Sequence, residues 1–148
     1  MRYVDRSMSD VLARSRALVE TMTLIDDPTE RLTWLLAKGR RAPAIAPAYR
    51  TDAFRIEGCI SELWLAPEQR DGRLWFRTDA AAAIPKGVAA ALAEVYSGGT
   101  PEEILAVGDG FIRDAGLPQV LSNNRSNGLA HFVKRILAHA EAARLSPT

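Results

Sequence analysis

The 148-residue sequence holds a single cysteine, Cys59, and two histidines, His131 and His139. One thiol closes no internal disulfide and forms no Cys-x-x-Cys redox pair. A zinc site built on Cys59 and the two histidines would need further ligands at no recognised spacing. A phosphatase-type loop would need an arginine six residues after the cysteine, where Leu65 stands. No apolar run is long enough to span a bilayer. No apolar stretch of signal-peptide type follows Met1-Arg2-Tyr3-Val4-Asp5-Arg6. A cytoplasmic location with no membrane partner is therefore expected, and a lone cysteine suits a reducing compartment. Charge of one sign is also missing: 19 basic residues meet 18 acidic ones, for a net charge of +1. A nucleic-acid binder normally carries a basic excess, so no nucleic-acid partner is expected.

What is present is an ordinary globular composition, 47% hydrophobic and 25% charged, which fits one domain over residues 1–148. Apolar residues Val11, Leu12, Leu18, Val19 and Met22 form a helical stripe over 8–25, interrupted at Ser15, with Ser9 as a cap. Asp27, Pro28 and Glu30 read as cap, first position and capping-box partner of a second helix, ended by Gly39. Residues 40–58, with Pro43 and Pro47, read as an extended loop. The one strong β signal is Ile60 to Ala66, an Asp71-Gly72 turn and the return strand Arg73 to Arg77. A short third strand over Phe54 to Ile56 would complete it. Helices follow over 80–97, with Pro85 as a kink or the true first turn, then from Thr100-Pro101-Glu102-Glu103, near Gly110 to Ala115, and over 126–143. This order predicts an α+β fold: a small antiparallel sheet, a hairpin plus that third strand, with helices packed mainly on one face.

A free cysteine is often a small buried hydrophobe. Here it directly follows Gly58 and sits between a turn-prone stretch and a strand, where a side chain can be held at the rim of a sheet. A cysteine hydrolase would need a histidine base. The only histidines lie eight residues apart on one helical segment and read as partly solvated helix residues. What remains is simple sulfur chemistry, in which a thiolate attacks a persulfide or disulfide sulfur. That requires an accessible thiol, a nearby cation such as an arginine, and shelter of the kind Ile56 and Ile60 supply.

Five segments in order then resemble the SufE family of sulfur acceptors, over about residues 24–140. They are Arg50-Thr51; Gly58-Cys59-Ile60-Ser61-Glu62-Leu63-Trp64; Asp79 to Ala83 followed by Lys86-Gly87; Thr100 to Ile104; and Ser122-Asn123-Asn124-Arg125-Ser126-Asn127-Gly128-Leu129. The resemblance implies a fold shared with IscU-type scaffolds. It implies that Cys59 accepts sulfane sulfur from the persulfide of a pyridoxal-phosphate (PLP) cysteine desulfurase of the SufS or CsdA kind. The sulfur would then pass to an Fe–S scaffold complex, with no cofactor resident on this chain. Arg125 would stabilise the thiolate or help dock the partner. A module that binds and regulates the desulfurase without carrying sulfur is the alternative.

The chain departs from the family pattern at several positions. Ile60 and Glu62 stand where the family has glutamines. Ala81 replaces a second acid, Pro85 an aliphatic residue, and Asn123-Asn124 a Thr-Pro pair. An apolar residue beside the thiol tends to raise its pKa. Gly58 reads as a positive-φ position, Asp79 as a helix N-cap, Trp64 and Trp75 as packing residues, and Ser61 as having no catalytic role.

Overall fold

A computed structural model describes residues 9–58, 61–121 and 123–146, with side chains omitted over 123–126. Cys59 and Ile60 lie outside the described residues, as does the Arg125 side chain. The expected α+β architecture is present. Among the described residues are seven α-helices and one antiparallel hairpin: α1 Asp10–Leu24, α2 Pro28–Arg41, β1 Leu63–Arg70, β2 Arg73–Ala80, α3 Ala83–Tyr96, α4 Pro101–Val107, α5 Gly110–Asp114, α6 Leu117–Val120 and α7 Asn123–Leu145. No helix among the described residues is long and apolar enough to cross a membrane.

Local chemistry sets most boundaries. Ser9 Oγ accepts from the Leu12 amide and starts α1. Ser15, the gap in the apolar stripe, is buried but donates to the Leu12 carbonyl at 2.7 Å, so it carries no unmet donor into the core. Asp27 caps α2 by accepting from Thr29 rather than through a box with Glu30. Thr100 and Glu103 form the full reciprocal capping box of α4. Asp71 and Gly72 both take positive φ, 54° and 75°. That is the primed turn that suits the right-handed twist of a hairpin.

The hairpin register pairs Leu63 with Ala80 at one end and Arg70 with Arg73 at the other. Leu63, Leu65, Leu74 and Phe76 face the helices. There they join Leu35 of α2, Leu92 and Tyr96 of α3, Ile104 of α4 and Phe132 and Ile136 of α7 in the main core. The other face is covered only near the open end. There Ile45 and Phe54 of the 42–54 segment pack on Trp64 and Ala66. Further along that face Trp75 is exposed, with the Arg70 guanidinium 5.0 Å from its ring centroid. Trp64 is the packing residue expected; Trp75 packs only at the surface.

Each eight-residue edge of the hairpin is met by one bridge from another segment. On the β1 edge, Arg55 makes a single bridge to Trp64 in place of the expected third strand, because Asp52–Phe54 turns in a 3-10 helix just before it. On the β2 edge, Leu74 pairs with Gly99. Covering edges in this way limits strand addition by other chains.

Pro85 follows the second of its two readings, whereas one helix and two helix ends differ from the expectations. Pro85 lies in the first turn of α3, so it neither breaks nor kinks the helix. Helix α6 is an addition to the expected order, and α7 begins earlier than 126. Gly39 does not end α2, which continues to Arg41 with Lys38, Arg40 and Arg41 at its negative end. Gly39 instead meets Gly87 of α3. A Cβ on Gly39 would lie 3.0 Å from the Gly87 backbone, and one on Gly87 would lie 2.2 Å from the Leu35 carbonyl oxygen. The two helices touch backbone to backbone, and this accounts for the glycine of Lys86-Gly87.

Gly87→Ala is expected to push α2 and α3 apart. Overpacking of this kind costs about 1–3 kcal/mol, against a helix-propensity gain of about 1 kcal/mol. Urea unfolding should show a lower midpoint at an unchanged slope. Equal or greater stability would mean that the two helices separate without penalty.

Candidate functional site

The open end of the hairpin carries the segment around Cys59. Its root is fixed from two sides. The Ile56 amide donates to the Leu63 carbonyl at 2.7 Å, and the Ala81 amide donates to the Glu62 carbonyl at 2.9 Å. Ile56 is buried in the main core. The chain therefore leaves the core at Ile56 and returns at Leu63, with the connection 57–62 between two tied ends.

Gly58 has φ +83°, as expected for a glycine required by its backbone. The structure adds a second reason. A Cβ at Gly58 would lie 2.5 Å from Cδ2 and 2.8 Å from Nε2 of His131. The imidazole of α7 thus rests directly on the residue that precedes Cys59. Sequence spacing read His131 as a solvated helix residue. The ring is exposed, but it is also seated on the loop. The signal was undetectable in the sequence because residues 58 and 131 meet only through the packing of α7 on β1. His139 is half-buried two turns further along α7. Burial, together with the Arg135 charge, pushes its pKa below the ordinary histidine value.

Ser61 Oγ is buried with no hydrogen-bond partner among the described residues. Asp79 departs from its expected role. It lies within β2, and the N-cap of α3 is Ala82. The Asp79 carboxylate is buried and accepts from Arg50 and from the Ala80 amide at 2.8 Å, with Lys86 Nζ 3.6 Å away. Burial alone would raise its pKa. The bonds from Arg50 and Ala80 and the charges of Arg50 and Lys86 prevail and hold it below the ordinary value. The same Arg50 guanidinium stands 5.4 Å from the Trp64 ring centroid. Arg50, the arginine of Arg50-Thr51, is thus engaged with Asp79 and pins the 42–54 segment to the sheet. Arg125 falls in the first turn of α7, about 9 Å along the axis from His131 at 1.5 Å per residue.

Asp79→Asn is expected to lower stability at neutral pH by about 2 kcal/mol. That is less than for a fully buried pair, because Arg50 is half-exposed and regains water. The folded pKa lies below the unfolded value of about 3.9. The contribution is therefore complete above that value and is lost as pH falls through the folded one. In urea titrations, the gap between wild type and variant should hold from neutrality to about pH 5 and close below about pH 4. A gap that ignores pH would remove the ionised carboxylate from the account.

Comparison with known proteins bears on the family and the fold. Residues 16–140 match the SufE family profile, the Fe-S metabolism associated domain. A SufE-like protein of Rhizobium etli is 32% identical over 130 residues, 84% of this chain and 87% of that one. A SufE-like protein of Synechocystis sp. is 29% identical over 128 residues, 86% of this chain and 80% of that one. The solution structure of a hypothetical protein from Thermus thermophilus has the same fold, with a TM-score of 0.74. It covers 90% of this chain and 97% of that one at 22% identity. The matched region starts within α1 and takes in every element that builds the site: the chain belongs to the SufE family.

Proposed function

We propose that this protein is a sulfur carrier. Cys59 accepts sulfane sulfur from the persulfide of a PLP-dependent cysteine desulfurase, stimulates that enzyme, and delivers the sulfur to an Fe–S scaffold complex in the cytoplasm. The observation that carries this reading is the position of the only thiol. It directly follows Gly58, in a connection whose two ends are tied to the core and the sheet. Membership of a family associated with Fe–S metabolism supports it.

In the transfer, the Cys59 thiolate attacks the outer sulfur of the donor persulfide. The donor S–S bond breaks, its electron pair leaves on the donor thiolate, and a persulfide forms on Cys59. One thiol and one persulfide go in, and one of each comes out, so no oxidant or reductant is consumed. The PLP chemistry that makes the donor persulfide stays on the desulfurase. This chain supplies the acceptor sulfur, its placement and its surroundings. Arg125 is assigned the cation that steadies the thiolate or docks the partner.

Intact-mass spectrometry after incubation with a desulfurase and free cysteine should show one added sulfur atom on Cys59, removed by reductant. Cys59→Ser should take up none and should abolish stimulation of the desulfurase. Stable complex formation and full stimulation by Cys59→Ser would establish the regulatory module instead.

A further inference from the structure

A cavity of about 290 Å³ opens between α2, β2 and α3. Its floor is apolar: Phe76 of β2, with Ala90 and Ala93 one turn apart on α3. Two alanines at these positions leave open the space that larger side chains would fill. The rim is cationic. Lys38 and Arg41 stand one turn apart at the end of α2, and Arg77 comes from β2. Glu94 is the one acid that lines the cavity, and it pairs with Lys38 at 2.9 Å. The two partners differ in hydration: Glu94 is 60% exposed and Lys38 only 20%. Water supports the carboxylate, whereas the ammonium depends on a partner. Arg41 and Arg77 form no ion pair among the described residues. Three cations therefore face one acid.

The strand adds an unmet donor. Arg70 and Arg73 flank the two-residue turn as a bonded pair, so alternation turns the backbone of Leu74, Phe76 and Thr78 away from β1. The Leu74 amide donates to the Gly99 carbonyl, and the Phe76 amide to Ser97 Oγ at 3.0 Å. The Thr78 amide meets no acceptor among the described residues, although Thr78 is buried and its hydroxyl is spent on the Trp64 carbonyl. A buried amide requires an acceptor, and Thr78 lines the cavity.

We propose that this cavity binds a small organic anion with an apolar body. The carboxylate or phosphate head accepts from the Thr78 amide and meets Lys38, Arg41 and Arg77, whose guanidinium forks suit such oxygens. The body lies on Phe76 and the two alanines. An apolar cavity of about 150 Å³ holds a benzene ring, so the volume here fits one ring and its head group. Along this edge only Thr78 is left open, too short a run for an added peptide strand. None of the lining residues belongs to the connection 57–62, so the site stands independently of the carrier reading.

The test is a titration of the full, isotope-labelled chain, followed through its backbone amide NMR signals. Phenylacetate and phenyl phosphate are the probes; benzylamine, with the opposite charge, and acetate, with no body, are the controls. Saturable shifts at Phe76, Thr78, Ala90 and Ala93 are expected with either anionic probe and not with the controls. Lys38→Gln should weaken binding about tenfold, the loss of one charged hydrogen bond. Glu94→Gln should tighten it about threefold, because the head group no longer competes with an acid for Lys38. Glu94 is exposed, so this variant keeps its fold and reads charge alone; melting curves check both variants. No saturable shift with either anion, shifts confined to other amides, or equal affinity for benzylamine would each overturn the proposal. So would an affinity that neither substitution changes.

Discussion

A carboxylate buried in a small domain has to be neutralised where it stands, and Asp79 imposes that requirement on the open end of the hairpin. Its partners come from three places: Arg50 from the segment before the cysteine, Lys86 from the first turn of α3, and the amide of Ala80. Of these, the segment carrying Arg50 has the least else to fix it. The 42–54 segment contributes only Ile45 and Phe54 to the apolar patch over Trp64, too little area to order it alone. Arg50 adds the ion pair and the stacking over the same tryptophan. The covering of the outer face, the edge bridge at Arg55 and the departure of the chain at Ile56 all follow from that anchoring.

Tying the root of the loop answers a conflict in the chemistry proposed for it. A persulfide must be reached by a partner and yet kept from stray reductants. A freely moving loop would give access without shelter, and a buried thiol the reverse. Ile56 is fixed to Leu63, and Glu62 to Ala81, so both ends of the connection are held in place. Short loops with fixed ends also cost less to order when a partner engages them.

The elements legible in the sequence are those whose causes are local. The Asp71-Gly72 turn, the capping box at Thr100 and the α+β order depend on neighbours within a few residues, and all are found as read. What the sequence concealed depends on distant packing. Asp79 stands where a helix cap would fit, yet the pairing of β2 extends to Ala80 and turns its carboxylate toward Arg50, 29 residues earlier. Trp75 alternates correctly for a strand, but on that part of the outer face it stays partly exposed beside Arg70. Gly39 resembles a helix stop and is a contact point between helices. The cysteine itself was evident from composition alone; the ring seated on Gly58 was not, because no period or spacing links residue 131 to residue 58.

The glycines make the same point about what a sequence pattern can mean. Gly87 has an ordinary helical backbone, so its requirement is spatial: the Leu35 carbonyl occupies the place of a Cβ. Gly72 has positive φ and open space around it, so its requirement is conformational. Gly58 carries both constraints, and they are separable. Truncating His131 frees the space but leaves φ at +83°, where any L side chain costs about 1–2 kcal/mol. A glycine would therefore be needed before Cys59 even in a relative with no histidine on this helix. The glycine before Cys59 thus follows from the path of the backbone, whereas the seat of the imidazole on it follows from the packing of α7.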